Sequence, residues 1–180
     1  MRADARRNRD RLVAIAQEAF AEQGAGASLD DIAKRAGVGP GTLYRHFPTR
    51  EALQEAAYRD AVEELAERGR ALADELPPGP ALESWIASLI AHIRDRSALA
   101  GALVESMGKQ GELFVECHRL LHDTGALIVD AARAAGAVRE DVQERDLLWM
   151  AHGVAQSAAG EGGDERAARL QQVLLRGLRP

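Results

Sequence analysis

Apolar residues recur at helical spacing along nearly the whole chain, and no run alternates with the period of two that a half-buried strand requires. Leu12, Ile15, Ala16, Ala19 and Phe20 form a one-sided stripe that predicts a first helix from about Arg9 to Gln23, ended by Gly24-Ala25-Gly26. Leu29, Ile32, Ala33 and Ala36 predict a second, short helix. Leu43 and Phe47, four apart, anchor the inner face of a third over Pro40 to Phe47. A long fourth helix runs from Thr49 to about Leu76, with Leu53, Ala57, Ala61, Leu65, Leu72 and Leu76 in a partly broken stripe. Pro77-Pro78-Gly79-Pro80 cannot continue it and marks the clearest break in the chain.

Helical spacing resumes with Leu82, Trp85, Ile86, Leu89, Ile90 and Ile93, followed by a separate, shorter helix over Ala98 to Met107, bracketed by Ser97 and Gly108. Leu113, Phe114, Cys117, Leu120, Leu121, Leu127, Ile128 and Ala131 predict a long helix with two apolar seams, buried on two sides and stopped at Gly136. Asp141 to about Ala159 and Asp164 to Leu178 complete the set, separated by Gly160-Glu161-Gly162-Gly163. The expectation is an all-α chain without internal repeats. A three-helix unit at residues 1–48 is followed by a helical unit at 49–180, of which 49–76 is a connecting helix.

Local signals are densest between Ser28 and Phe47. Ser28 is placed to cap the second helix, with Asp31 three residues on as a weaker partner in a capping box. Gly37 supplies the residue tolerant of positive φ that a helix C-terminus favours, and Pro40 suits the first turn of the next helix. Pro48 stops that helix and Thr49 caps the one after. The result is helix, sharp turn, helix over a core of Leu12, Ile15, Phe20, Ile32, Val38, Leu43 and Phe47. This is the geometry that places a helix in a DNA major groove, though an ordinary helical hairpin has the same spacing.

Charge separates these readings better than composition does. The chain carries a formal −5, which argues against a polyanionic partner, but the charge is unevenly spread. Residues 1–50 hold nine Lys/Arg against six Asp/Glu, whereas the rest holds 14 against 22. A basic end on an acidic chain is the footprint of nucleic-acid contact at that end. The arginines before Leu12 are expected beside phosphates. No stretch approaches the roughly 18 uncharged apolar residues of a membrane span, and MRADARRNRDR does not lead into the apolar run of a secretory signal. One cysteine, Cys117, allows neither an intrachain disulfide nor a cysteine-built zinc cage, so the expected setting is cytoplasmic.

The wording of IAKRAGVGPGTLYRHFPTREAL adds a resemblance. Ile32, Ala33, Ala36, Gly37, Val38, Gly41, Thr42, Leu43, Tyr44, His46, Phe47, Arg50, Glu51 and Leu53 match the N-terminal signature of TetR-family transcriptional regulators. Gly39 stands where Ser is common in that family, and Arg50 where Lys is common. The resemblance implies an N-terminal helix-turn-helix DNA-binding domain and a C-terminal helical ligand-binding and dimerisation domain. Carried over by position, it puts Thr42, Tyr44, His46 and Arg50 at phosphates, with the Ser28-capped helix end nearby. Base-edge candidates are the Gly39-Pro40-Gly41 edge and Arg45, whose guanidinium fits guanine O6 and N7 in a bidentate way.

Beyond about Ser97 the chain also looks like the subgroup with an SbtR-like C-terminal domain. The resemblance implies a ligand cavity lined from Trp85, Leu89, His92, Leu103, Met107, Phe114, Cys117, His118, Trp149 and His152, residues that a plain core would equally use. It implies a homodimer through the last two helices, and the seam of Leu147, Ala151, Val154, Ala155, Ala158, Leu170, Val173, Leu174 and Leu178 suits a four-helix interface. His118 and His122, at i and i+4, would hold a metal only if His92 or His152 came alongside. No motif brings them together, so no metal or other cofactor is assigned.

No nucleophile elbow, phosphate-cradling loop or acid–base pair is present in the sequence, which argues against an enzyme. The expected function is a dimeric repressor released from a palindromic operator by a small molecule. The alternative is a helical protein-interaction module that has lost DNA binding.

Overall fold

The computed structural model describes residues 2–108, 111–158 and 160–180. Its described residues form eight α-helices and no strand: α1 Arg2–Gln23, α2 Leu29–Arg35, α3 Pro40–His46, α4 Arg50–Glu75, α5 Pro78–Met107, α6 Glu112–Ala134, α7 Glu144–Ser157 and α8 Gly163–Leu178. No helix among these residues is long and apolar enough to cross a membrane. The chain divides into two compact units: Met1–Ala61 with Arg96–Val115, and Val62–Asp95 with Glu116–Pro180. This division is drawn differently from the expected split near residue 48.

In the first unit, α1 turns Leu12, Val13, Ala16, Gln17, Ala19 and Phe20 inward. The buried face is therefore rotated from the expected stripe, taking in Val13 and leaving Ile15 half-buried, while Val38 also sits at the margin. Ile32, Ala33 and Ala36 of the α2 segment, Leu43 and Phe47 around α3, and Leu53, Ala57 and Tyr58 of α4 are buried too. Leu99 and Leu103 of α5 and Leu113 and Phe114 of α6 complete the buried set, with the Tyr58 and Phe114 rings edge to face at 5.5 Å between centroids.

The second unit has its own core, from Leu65 on α4, Leu82, Trp85, Ile86, Leu89 and Ile90 on α5, Ile128, Val129 and Ala132 on α6, and the inner faces of α7 and α8. Trp85 lies against Gly69 of α4. A Cβ built on Gly69 would meet Thr124 Cγ2 at 2.6 Å and Trp85 Cζ3 at 2.7 Å, so only glycine allows α4 this close. Thr124, buried among apolar groups, satisfies its hydroxyl by donating to Leu120 O at 2.9 Å.

Four expectations change. The proline cluster does end α4, but Pro78 and Pro80 occupy the first turn of α5, where a missing N–H leaves nothing unpaired. From there α5 runs unbroken to Met107, because Arg94-Asp95-Arg96-Ser97 are all compatible with a helix and Ser97 lies inside it. On α6 there is one buried seam, not two: of the expected seam residues, Leu127 and Ala131 are exposed. On α7 and α8, Leu147, Ala151, Ala155, Ala158 and Leu178 are buried within the unit and cannot present themselves to a second chain, while Trp149 and Val173 are 73% and 69% exposed. Trp149 therefore cannot line an internal cavity. The expected end of α7 at Ala159 lies outside the described residues.

Candidate nucleic-acid interface

Each end of the α2–α3 pair is fixed by a residue whose chemistry demands that position. Ser28 Oγ accepts from the Asp31 N–H at 3.3 Å, satisfying a donor that the helix itself cannot. At the other end Gly37 adopts φ +69°, its N–H bonds Lys34 O, and the Val38 N–H bonds Ala33 O. These are the two bonds of a Schellman termination. Gly39 then caps α3 in extended geometry with Pro40 as its first helical residue, and Thr42 N–H closes the first turn on Gly39 O at 2.9 Å.

Among its seven residues α3 buries Leu43 alone. With Phe47, buried just past the end of α3, Leu43 holds the helix on the unit; truncating it to alanine would cost about 2–5 kcal/mol. Gly39, Pro40, Gly41, Tyr44 and Arg45 are exposed, and Thr42 and His46 are half-buried. Arg45 makes no ion pair among the described residues. The expected contact residues Gly39 to His46 thus lie together on one short element, with exposed Ser28 at the start of α2.

Arg50 is the exception. Its Nη1 donates to Ala27 O at 2.6 Å and to Ala25 O at 3.2 Å, and Gln54 Nε2 donates to Ala25 O at 2.9 Å. The start of α4 therefore clamps the loop between α1 and α2, so one guanidinium nitrogen expected at a phosphate is occupied in holding the unit together. Other cations are also engaged. Arg35 bridges Glu22 at 3.0 Å and Glu18 at 2.9 Å, and its hydrogen bond to Glu22, with the charges of Glu22 and Glu18, raises its pKa against an opposing effect of burial. Arg9 stacks over the Phe47 ring at 5.4 Å, and Arg11 Nη1 donates to Ala36 O at 3.3 Å. Arg7 pairs with Asp4 and Arg6 with Asp10, both at exposed positions where such pairs contribute little and exchange readily for phosphate.

Of the residues expected around a cavity, Leu103, Met107 and Phe114 belong to the first unit and Trp85, Leu89, His92, Cys117, His118, Trp149 and His152 to the second. Trp85 and Leu89 are core side chains. His118 and His152 are exposed, and His122 Nδ1 faces Glu144 Oε1 at 3.3 Å. Among the described residues no group of three or more His, Cys, Asp or Glu is placed to hold a metal ion. Sequence reasoning passed over Gln17, Gln54 and the clamp made by Arg50. A glutamine on the apolar face of α1 was the one available signal.

Residues 12–57 match the family described as bacterial regulatory proteins, tetR family, and residues 77–180 match the transcriptional regulator SbtR-like C-terminal domain. The crystal structure of a TetR transcriptional regulator from Streptomyces coelicolor is 39% identical, covers 96% of this chain and 98% of its own, and superposes with a TM-score of 0.83. A TetR regulatory protein from Mycobacterium vanbaalenii is 33% identical over 99% of both chains, with a TM-score of 0.76. An HTH-type transcriptional regulator of Staphylococcus aureus strain USA300 is 48% identical over 54 residues, which is only 29% of either chain. The chain belongs to the TetR family of DNA-binding transcriptional regulators, a family of regulators and not of enzymes, and its C-terminal region is of the SbtR-like kind.

Proposed function

We propose that this chain acts in the cytoplasm as a homodimeric repressor that leaves a palindromic operator when a small molecule binds. The observation that carries the reading is α3: it buries Leu43 alone and leaves Thr42, Tyr44, Arg45 and His46 at least partly open to solvent. A helix that short reads only a few base pairs. Two copies, about 34 Å apart, would read successive major grooves on one face of a duplex. In this proposal Thr42, Tyr44 and His46 bind phosphate, Arg45 reads a base edge, and Gly39-Pro40-Gly41 permit close approach. Arg50 orders the α1–α2 loop, with Ser28 at the phosphate end of α2.

The dimer face we assign to α7 and α8 is the exposed one, with Trp149 and Val173 at its centre and half-buried Val154, Leu170 and Leu174 beside them. Large exposed apolar side chains on adjoining helices favour burial against a second copy. The effector is assigned to the SbtR-like region, with His92, Cys117 and His118 as its contacts. It must bind the DNA-incompetent state better than the competent one, and bound operator then weakens effector binding by the same factor.

Selection of bound duplexes from a random pool at moderate salt tests this. An enriched palindrome with half-sites about one helical turn apart, bound with affinity that falls steeply as salt rises, is the expected result. No enrichment by folded, dimeric protein would overturn operator binding and favour the interaction-module alternative.

A further inference from the structure

The least expected side chain in the first unit is Gln17. It sits on the inward face of α1 between Val13 and Phe20 and is only 6% exposed. A primary amide so placed is costly unless both of its ends are bonded. Both are. Gln17 Nε2 donates to Asp60 Oδ2 of α4 at 2.8 Å, and Gln17 Oε1 accepts from Arg96 Nη2 of α5 at 3.4 Å. The amide is thus oriented by charge, with its oxygen toward a cation and its N–H toward an anion. Flipping it would set oxygen against carboxylate and N–H against guanidinium.

The location gives this arrangement a consequence. Asp60 is the last residue but one of α4 in the first unit, and Arg96 is the first residue of α5 in it. The two charges lie where both helices pass from one unit into the other, and the amide between them belongs to the helix that packs on α2 and α3. Arg96 Nε is buried without a hydrogen-bond partner, and the Arg96–Gln17 bond is long. The Arg96 end is therefore the weak link, able to tighten or release with a small movement of α5.

We infer that Gln17 is a positioning residue for DNA reading: an amide relay from Asp60 to Arg96 through which the placement of α4 and α5 sets the placement of α1, and with it the presentation of α3. The inference rests on the DNA-reading proposal above and adds the route by which that site is regulated.

The experiment compares Gln17→Met, which keeps length and loses both bonds, with Gln17→Glu and with the double variant Gln17→Glu/Asp60→Asn. The double variant restores complementarity, since the carboxylate introduced at position 17 accepts both from Arg96 and from the side-chain amide introduced at position 60. Two readouts are taken on full-length protein. One is affinity for the duplex that the parent protein enriches. The other is the distance distribution between spin labels at Asp30→Cys and Glu140→Cys in a Cys117→Ser background, with labelled chains diluted into unlabelled ones. Circular dichroism checks the fold.

Gln17→Met is expected to keep its helical content, bind every duplex about tenfold more weakly and broaden the label distribution, as expected for loss of a charge-assisted bond. Gln17→Glu is expected to lose more, by repulsion from Asp60, and the double variant to recover to within a few-fold of the parent. Parent-like affinity and distances in Gln17→Met, or a double variant no better than Gln17→Glu, would overturn the relay. Should the parent itself enrich no duplex, the DNA reading fails while the label distances still decide the relay.

Discussion

At the scale of single residues, two arginines of one surface are separated by what they touch. Arg45 is exposed and unpaired among the described residues, so Arg45→Ala should leave the thermal midpoint unchanged, cost about 1–3 kcal/mol of operator binding and relax preference at one base position. Unchanged preference across a randomised half-site would remove it from base reading. Arg50 holds two carbonyls of the α1–α2 loop, so Arg50→Ala should lower stability by about 1–3 kcal/mol and weaken binding to all duplexes alike. Denaturant titration alongside binding checks this, and weaker binding at parental stability would return Arg50 to the phosphates. The family signature in the sequence could announce a basic residue here but not its partners, because Ala25 and Ala27 offer only backbone oxygens. Backbone acceptors leave no mark in a sequence.

At the scale of elements, legibility followed the range of the signals. Ser28, Gly37 and Pro40 act on their own neighbours within a few residues, and the α2–turn–α3 unit was readable for that reason. The polar run Arg94-Asp95-Arg96-Ser97 looked like a break between two helices. It is polar because Arg94 bonds Asp164, 70 residues on, and Arg96 bonds Gln17, 79 residues back. Partners so distant cannot be inferred from spacing. Gly69 is similar: its only sequence signal was a glycine inside a helix, and its reason is the Trp85 ring. Gly69→Ala should therefore destabilise by about 1–3 kcal/mol despite alanine's higher helix propensity, a reversal of sign that thermal denaturation would show.

The α6–α7 pair carries a proton-linked expectation. Partial burial first, then the charges of His122 and His152, hold the His118 pKa below its ordinary value. The unfolded chain thus takes up this proton at higher pH than the folded one. The stabilisation is full above the ordinary histidine value of about 6.5 and is lost as pH falls through the lower folded value. The thermal midpoint should drop on acidification across that window, and less so in His118→Gln; equal slopes for the two proteins would dismiss the linkage.

At the scale of the whole molecule, the all-helical architecture was legible and the orientation of the last two helices was not. Leu147, Ala151 and Ala155 share α7 with Trp149, and hydrophobicity alone cannot say which stripe meets its own core. The seam of small residues goes inward and the bulky Trp149 faces out. Trp149→Glu should then leave the chain folded but shift it from dimer to monomer in sedimentation, with operator affinity lost through the lost bivalence. A monomer in the parent protein would end that assignment.

The first unit is built from two separate stretches, residues up to Ala61 and Arg96–Val115. During synthesis the DNA-reading helices leave the ribosome well before α5, yet Leu99, Leu103, Leu113 and Phe114, which complete the buried set of that unit, follow about forty to fifty residues after Ala61. The usual order, in which the N-terminal unit closes before the next begins, cannot hold here. A nascent chain carries its DNA-binding helices incompletely packed until α5 and the start of α6 have been made, so the cell acquires a finished DNA-binding unit only after Val62–Asp95 of the second unit has already been translated.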